Sequence, residues 1–92
     1  MFVYLDNSAT TKPYREVIET MVNYMEHDFG NPSSLHRMGI TAEKGVKEAR
    51  KSVASSLGVR EEEIYFTSGG TEADNTALFG AVQARKRRGN KI

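Results

Sequence analysis

The sequence predicts an α/β protein rich in helix, with three helices and short strands in the order β, α, α, β, α and the start of a further β. Three observations carry that expectation. Apolar residues recur at helical spacing in three separate stretches. Short β-prone runs lie at Phe2 to Leu5 and at Ile64 to Thr67. Between the second run and the third helix stands Ser68-Gly69-Gly70-Thr71, the shape of a tight strand-to-helix turn.

The elements follow in chain order. Phe2 to Leu5 is the first strand, and the small polar residues Asp6-Asn7-Ser8-Ala9-Thr10-Thr11 read as a loop. Pro13 suits the first turn of a helix, where its missing N–H costs nothing. Tyr14, Val17, Ile18, Met21, Val22 and Met25 mark one helix face. The helix should fray near His27 and Asp28, because Phe29-Gly30-Asn31-Pro32-Ser33-Ser34 is a dense break signal. A long helix begins between Ser34 and Met38. Met38, Ala42, Val46, Ala49, Val53 and Leu57 step along it by three or four, and Gly58 followed by Val59 suggests a Schellman stop.

Strand Ile64 to Thr67 comes next. The third helix is expected to open at Thr71, with Asp74 completing a capping box. Its apolar face is Ala77, Leu78, Ala81 and Val82. Arg85 to Arg88 compensate its negative end, and Gly89 stops it. Lys91-Ile92 looks like the first step of another strand, and a two-residue strand implies that the fold continues past it.

Composition narrows the function. Ninety-two residues make one small domain or a piece of a larger one. There is no cysteine, so no disulfide, thiolate metal site or cysteine nucleophile. A net charge of +1 argues against a nucleic-acid or membrane surface. The basic run Arg85 to Arg88 has no aromatic platform and reads as a solvated helix end. The N-terminus lacks signal-peptide features, and no apolar run spans a bilayer, so a cytoplasmic location is expected.

The Gly69-Gly70-Thr71 turn has the strongest chemical content. The first N–H groups of a helix have no intrahelical acceptor and carry partial positive charge, so an anion such as phosphate fits there. The alternative is a turn whose glycines serve only local geometry, at even odds. Neither a Walker lysine nor G-x-G-x-x-G is present. From the residues alone Asp6 to Thr11 reads as an ordinary polar loop, and Gly30 to His36 either as a structured site loop or as a helix–helix connection with good capping residues. His36 reads as a histidine of a loop or helix N-terminus, and His27 as a helix-end cation. No catalytic nucleophile–base pair and no metal-ligand set can be assembled.

Tyr4-Leu5-Asp6-Asn7-Ser8-Ala9-Thr10-Thr11, Gly30-Asn31-Pro32-Ser33-Ser34-Leu35-His36 and Phe66-Thr67-Ser68-Gly69-Gly70-Thr71-Glu72-Ala73-Asp74-Asn75 together resemble the N-terminal quarter of cysteine desulfurases. These are pyridoxal-phosphate enzymes of the class V aminotransferase group with the fold-type I architecture. The resemblance covers essentially the whole chain. It implies that residues 1–92 form a single incomplete unit, an N-terminal segment plus the start of the large cofactor-binding domain. It implies that Gly70 and Thr71 hold the phosphate of pyridoxal 5'-phosphate. Asn7, Ser8 and Ala9 match a loop near the substrate pocket, and Asn31, Pro32 and Ser33 match one close to the active site and dimer interface. The family takes its Schiff-base lysine, ring-stacking histidine, pyridine-nitrogen aspartate and persulfide-carrying cysteine from later sequence. The chain is therefore expected to be an inactive N-terminal fragment of a homodimer that converts L-cysteine to L-alanine and an enzyme persulfide. That persulfide passes to a sulfur-acceptor or scaffold protein for iron–sulfur clusters or thiolation. A selenocysteine lyase or aminotransferase of the same group, or a non-catalytic helical interaction module, are the other readings.

Overall fold

The computed structural model describes residues 1–86, 88 and 89. Three α-helices form: α1 (Arg15–Glu26), α2 (Arg37–Leu57) and α3 (Gly70–Arg85), with a 3-10 turn at Glu61–Glu63. The chain divides into two units, Met1–Ser52 and Val53–Ile92.

Within the first unit, α1 begins two residues after Pro13. Tyr14 is still extended, with ψ 154°, and its carbonyl accepts from the N–H groups of Val17 and Ile18. The helix closes where the break signal starts. The Asn23 carbonyl accepts from His27 N–H at 2.9 Å, and the Asn23 side-chain amide donates to Asp28 at 2.8 Å. An exposed Arg15–Glu19 pair one turn apart adds about 0.3–0.5 kcal/mol.

His36 is the residue that starts α2. Its carbonyl accepts from Ile40 N–H at 3.1 Å, and its Nδ1 accepts from Gly39 N–H at 3.4 Å. The faces of α1 and α2 meet over small side chains. Ala42 is buried, and the Tyr24 ring reaches α2 where Gly45 has no side chain. The large apolar residues of α1 keep much of their surface: Val17, Ile18, Met21 and Val22 are 44–50% exposed.

The second unit begins with the end of α2. Gly58 has φ +66°, the left-handed conformation that glycine adopts without penalty. Val59 N–H reaches the Ala54 carbonyl at 3.0 Å, and Gly58 N–H the Ser55 carbonyl at 3.3 Å. This is the double bond pattern of a Schellman motif, as Gly58-Val59 suggested. The Glu61–Glu63 turn follows, closed by Glu63 accepting from Arg60 N–H at 2.9 Å.

Three sequence expectations need correction. No strand exists among the described residues, neither at Phe2 to Leu5 nor at Ile64 to Thr67. Ile64 does have strand-like angles, φ −98° and ψ 123°. Residue preference supplies extended backbone, but a strand also needs a neighbour to complete its ladder, and no strand ladder forms among the described residues. Next, α3 opens at Gly70 rather than Thr71 and has no Thr71–Asp74 box. Finally, α3 ends at Arg85, before Gly89. The proposed strand at Lys91-Ile92 and the residue Arg87 lie outside the described residues.

No helix among the described residues is long and apolar enough to cross a membrane. No cluster of three or more metal-ligating side chains occurs among them.

Candidate functional site

The first turn of α3 is built by an unusual division of labour. Gly69 caps the helix with its backbone alone: its carbonyl accepts from Ala73 N–H at 3.1 Å, and it has no side chain to cap the earlier donors. The N–H groups of Gly70, Thr71 and Glu72 precede that bond, and helix geometry gives such first-turn donors no intrahelical acceptor. A Cβ built on Gly69 or Gly70 would meet nothing within 4 Å. Thr71 and Asn75 stack along the next turn, with the Asn75 amide donating to the Thr71 carbonyl at 2.8 Å.

The acidic residue of this first turn reaches back to the residue before the cap. Glu72 accepts from Ser68 N–H at 2.8 Å and from the Ser68 hydroxyl at 2.5 Å. The hydroxyl bond first, and the backbone bond after it, hold the Glu72 carboxyl below the ordinary glutamate value. The third-position acid thus closes the turn, a role that sequence reading assigned to Asp74. The partner of Glu72 is Ser68, the residue before the Gly69 cap and four positions back, a spacing the capping-box pattern does not contain. Thr67 braces the same turn, its hydroxyl donating to the Gly69 carbonyl at 3.1 Å.

This donor set suits a phosphate group. Backbone N–H groups at a helix N-terminus with no side-chain cap are what an anionic ligand requires. Gly70 and Thr71 supply two of the N–H groups of this turn.

The other sequence-predicted residues belong to the first unit. Asn7, Ser8 and Ala9 share one turn, in which Ala9 N–H donates to the Asp6 carbonyl at 3.1 Å. The Thr11 hydroxyl donates to the Asn7 carbonyl at 3.2 Å, and the Tyr4 and Thr10 hydroxyls bond across the turn. Asn31 stands in the loop before α2. Its side-chain oxygen accepts from Ser33 N–H at 2.9 Å, and its carbonyl accepts from Ser34 N–H at 2.9 Å. Among the described residues no hydrogen bond joins the Asn7–Ala9 turn to Asn31. Gly70 and Thr71 belong to the second unit, Val53–Ile92.

The family profile described as Aminotransferase class-V matches residues 3–92. Over 90 residues the chain is 51% identical to the cysteine desulfurase IscS of Methanosarcina thermophila, covering 98% of this chain and 22% of that protein. It is 48% identical to the putative cysteine desulfurase IscS 1 of Bacillus subtilis, covering 98% of this chain and 24% of the relative. A solved structure, a NifS-like protein, superposes with a TM-score of 0.86 at 42% identity, covering 96% of this chain and 24% of the other. The chain thus spans about a quarter of the length of the relatives it matches.

Proposed function

This chain belongs to the class V aminotransferase family, and from that premise we propose that it forms the phosphate-anchoring N-terminal part of a pyridoxal-phosphate-dependent cysteine desulfurase. In this reading residues 1–92 are an N-terminal segment plus the start of the large cofactor-binding domain. The substrate is L-cysteine, the products are L-alanine and a persulfide, and the working form is a homodimer serving a sulfur-acceptor or scaffold protein. The observation that carries the reading is the first turn of α3: it is capped by the Gly69 backbone alone, so the N–H groups of Gly70 and Thr71 have no side-chain cap.

The cofactor, when bound, supplies the electron sink for the chemistry at the substrate. The residues here bind and orient. The N–H groups of Gly70 and Thr71 take phosphate oxygens, and the helix end adds favourable partial charge worth about 0.3–1 kcal/mol at an exposed site. Glu72, held by Ser68, fixes the start of the helix. Asn7, Ser8, Ala9 and Asn31 wall the substrate pocket.

A chimera tests the reading. Replace the matching segment of the Methanosarcina thermophila cysteine desulfurase with this chain. The expected product is a folded dimer that retains bound pyridoxal phosphate by its visible absorbance and turns over L-cysteine. A folded chimera that takes up no cofactor would refute the assignment of Gly70 and Thr71.

A further inference from the structure

We propose that Gly30 and Gly39 are paired positioning residues that clamp the Asn31–Ser34 loop, backbone against backbone, onto the first turn of α2. Each glycine faces the other's segment. A Cβ on Gly30 would overlap the Met38 carbonyl oxygen and stand 2.6 Å from the Met38 carbonyl carbon. A Cβ on Gly39 would overlap the Ser34 carbonyl oxygen and stand 2.8 Å from the carbonyl oxygen of Asn31. Both obstructions are main-chain atoms, so no side-chain rotation relieves them. Gly39 is buried, and Gly30 and Ser34 are half-buried.

The contact is locked by hydrogen bonds on both sides. In the loop, Ser33 N–H goes to the Asn31 side-chain oxygen and Ser34 N–H to the Asn31 carbonyl, both at 2.9 Å. On the helix side, Gly39 N–H goes to His36 Nδ1 at 3.4 Å. The chain between Ser34 and Gly39 therefore has one way to turn into α2. The clamp acts through Asn31, whose side-chain oxygen is committed to Ser33 N–H. The loop is thereby set before any ligand arrives, and positional freedom that a ligand would otherwise have to remove is already absent.

This rests on the reading that the Gly30–Ser34 loop walls the substrate pocket, but its test needs no ligand. Record hydrogen exchange and amide NMR spectra of the 92-residue chain, of Gly39→Ala, of Gly30→Ala, and of Gly80→Ala as a control in α3. In the unsubstituted chain the Ser34 amide should exchange at least about tenfold more slowly than an unstructured amide. In Gly39→Ala and Gly30→Ala that protection should fall toward the unstructured rate. The Ser33 amide and Asn31 side-chain NH2 resonances should move, while α2 amides beyond Ile40 keep theirs. Gly80→Ala should leave the loop signals in place. An unprotected Ser34 amide in the unsubstituted chain overturns the clamp, whether or not the variants fold. So does a variant in which protection falls evenly along α2, which would mark loss of helix stability alone. A standing clamp beside a chimera that binds no cofactor would refute the functional reading and leave the clamp intact.

Discussion

Gly58 and Gly80 invite the same substitution, to alanine, with opposite results. Both lie in the second unit, and a Cβ at either meets nothing within 4 Å, so neither change makes a clash. What differs is the backbone. Gly58 sits at φ +66° in the turn that ends α2, where an L side chain costs roughly 1–2 kcal/mol. Gly80 is in the interior of α3, where alanine is better than glycine by about 0.8–1.0 kcal/mol. The two variants should therefore differ by about 2 kcal/mol, roughly 30-fold in the folding equilibrium constant. A urea titration followed by ellipticity at 222 nm reads the difference. Gly58→Ala should lower the midpoint and Gly80→Ala should raise it. Gly58→Asn should fall between the original and Gly58→Ala, because asparagine tolerates the left-handed region better. Two alanine variants moving in the same direction would refute the conformational argument. It would mean that the Schellman bonds from Gly58 and Val59 do not set the end of α2.

Three further outcomes are expected. Because the folded Glu72 carboxyl titrates below its ordinary value of 4.5, its stabilisation is fully present above that pH and is lost as pH falls through the lowered folded value; Glu72→Gln should remove this acid-side dependence in urea titrations at stepped pH, and an unchanged profile would show that the Ser68 bonds do not form in solution. Inorganic phosphate should shift the amide signals of Gly70, Thr71 and Glu72 most, with a dissociation constant weaker than about 1 mM, since one helix turn supplies only part of a site; larger shifts elsewhere would move the site. The half-exposed α1 stripe should drive concentration-dependent association, visible by light scattering behind a sizing column, and Met21→Lys should weaken it; a monomer at all accessible concentrations would show that the stripe needs no further cover.

Local patterns were readable in the sequence, and contacts between distant residues were not. The helix stripes, the break at Phe29 to Ser34 and the Gly58 stop are each decided within one or two turns of chain, and the structure has them. Strand pairing at Phe2 to Leu5 and Ile64 to Thr67 is not local, so β-preference alone misled. At the candidate site the glycine pair and Thr71 were legible as a helix start. The shift of the cap from Thr71 to Gly69, which moves the third helical position from Asp74 to Glu72, is two residues of register. The approach of Gly30 to Met38 and of Gly39 to Ser34 left no trace in composition or periodicity, because the meeting of two stretches of main chain has no side-chain signature.

The described residues bury few apolar side chains, Ala42 and Ala54, and both are among the smallest there are. Heat capacity and denaturant sensitivity both scale with the surface that unfolding newly exposes. With so few apolar side chains fully buried among the described residues, the chain should melt with a smaller heat-capacity increment and a shallower response to urea than a fully cored domain of its length. Its stability then varies little with temperature, and what order it has is governed more by helix hydrogen bonds than by the retreat of oil-like surface from water.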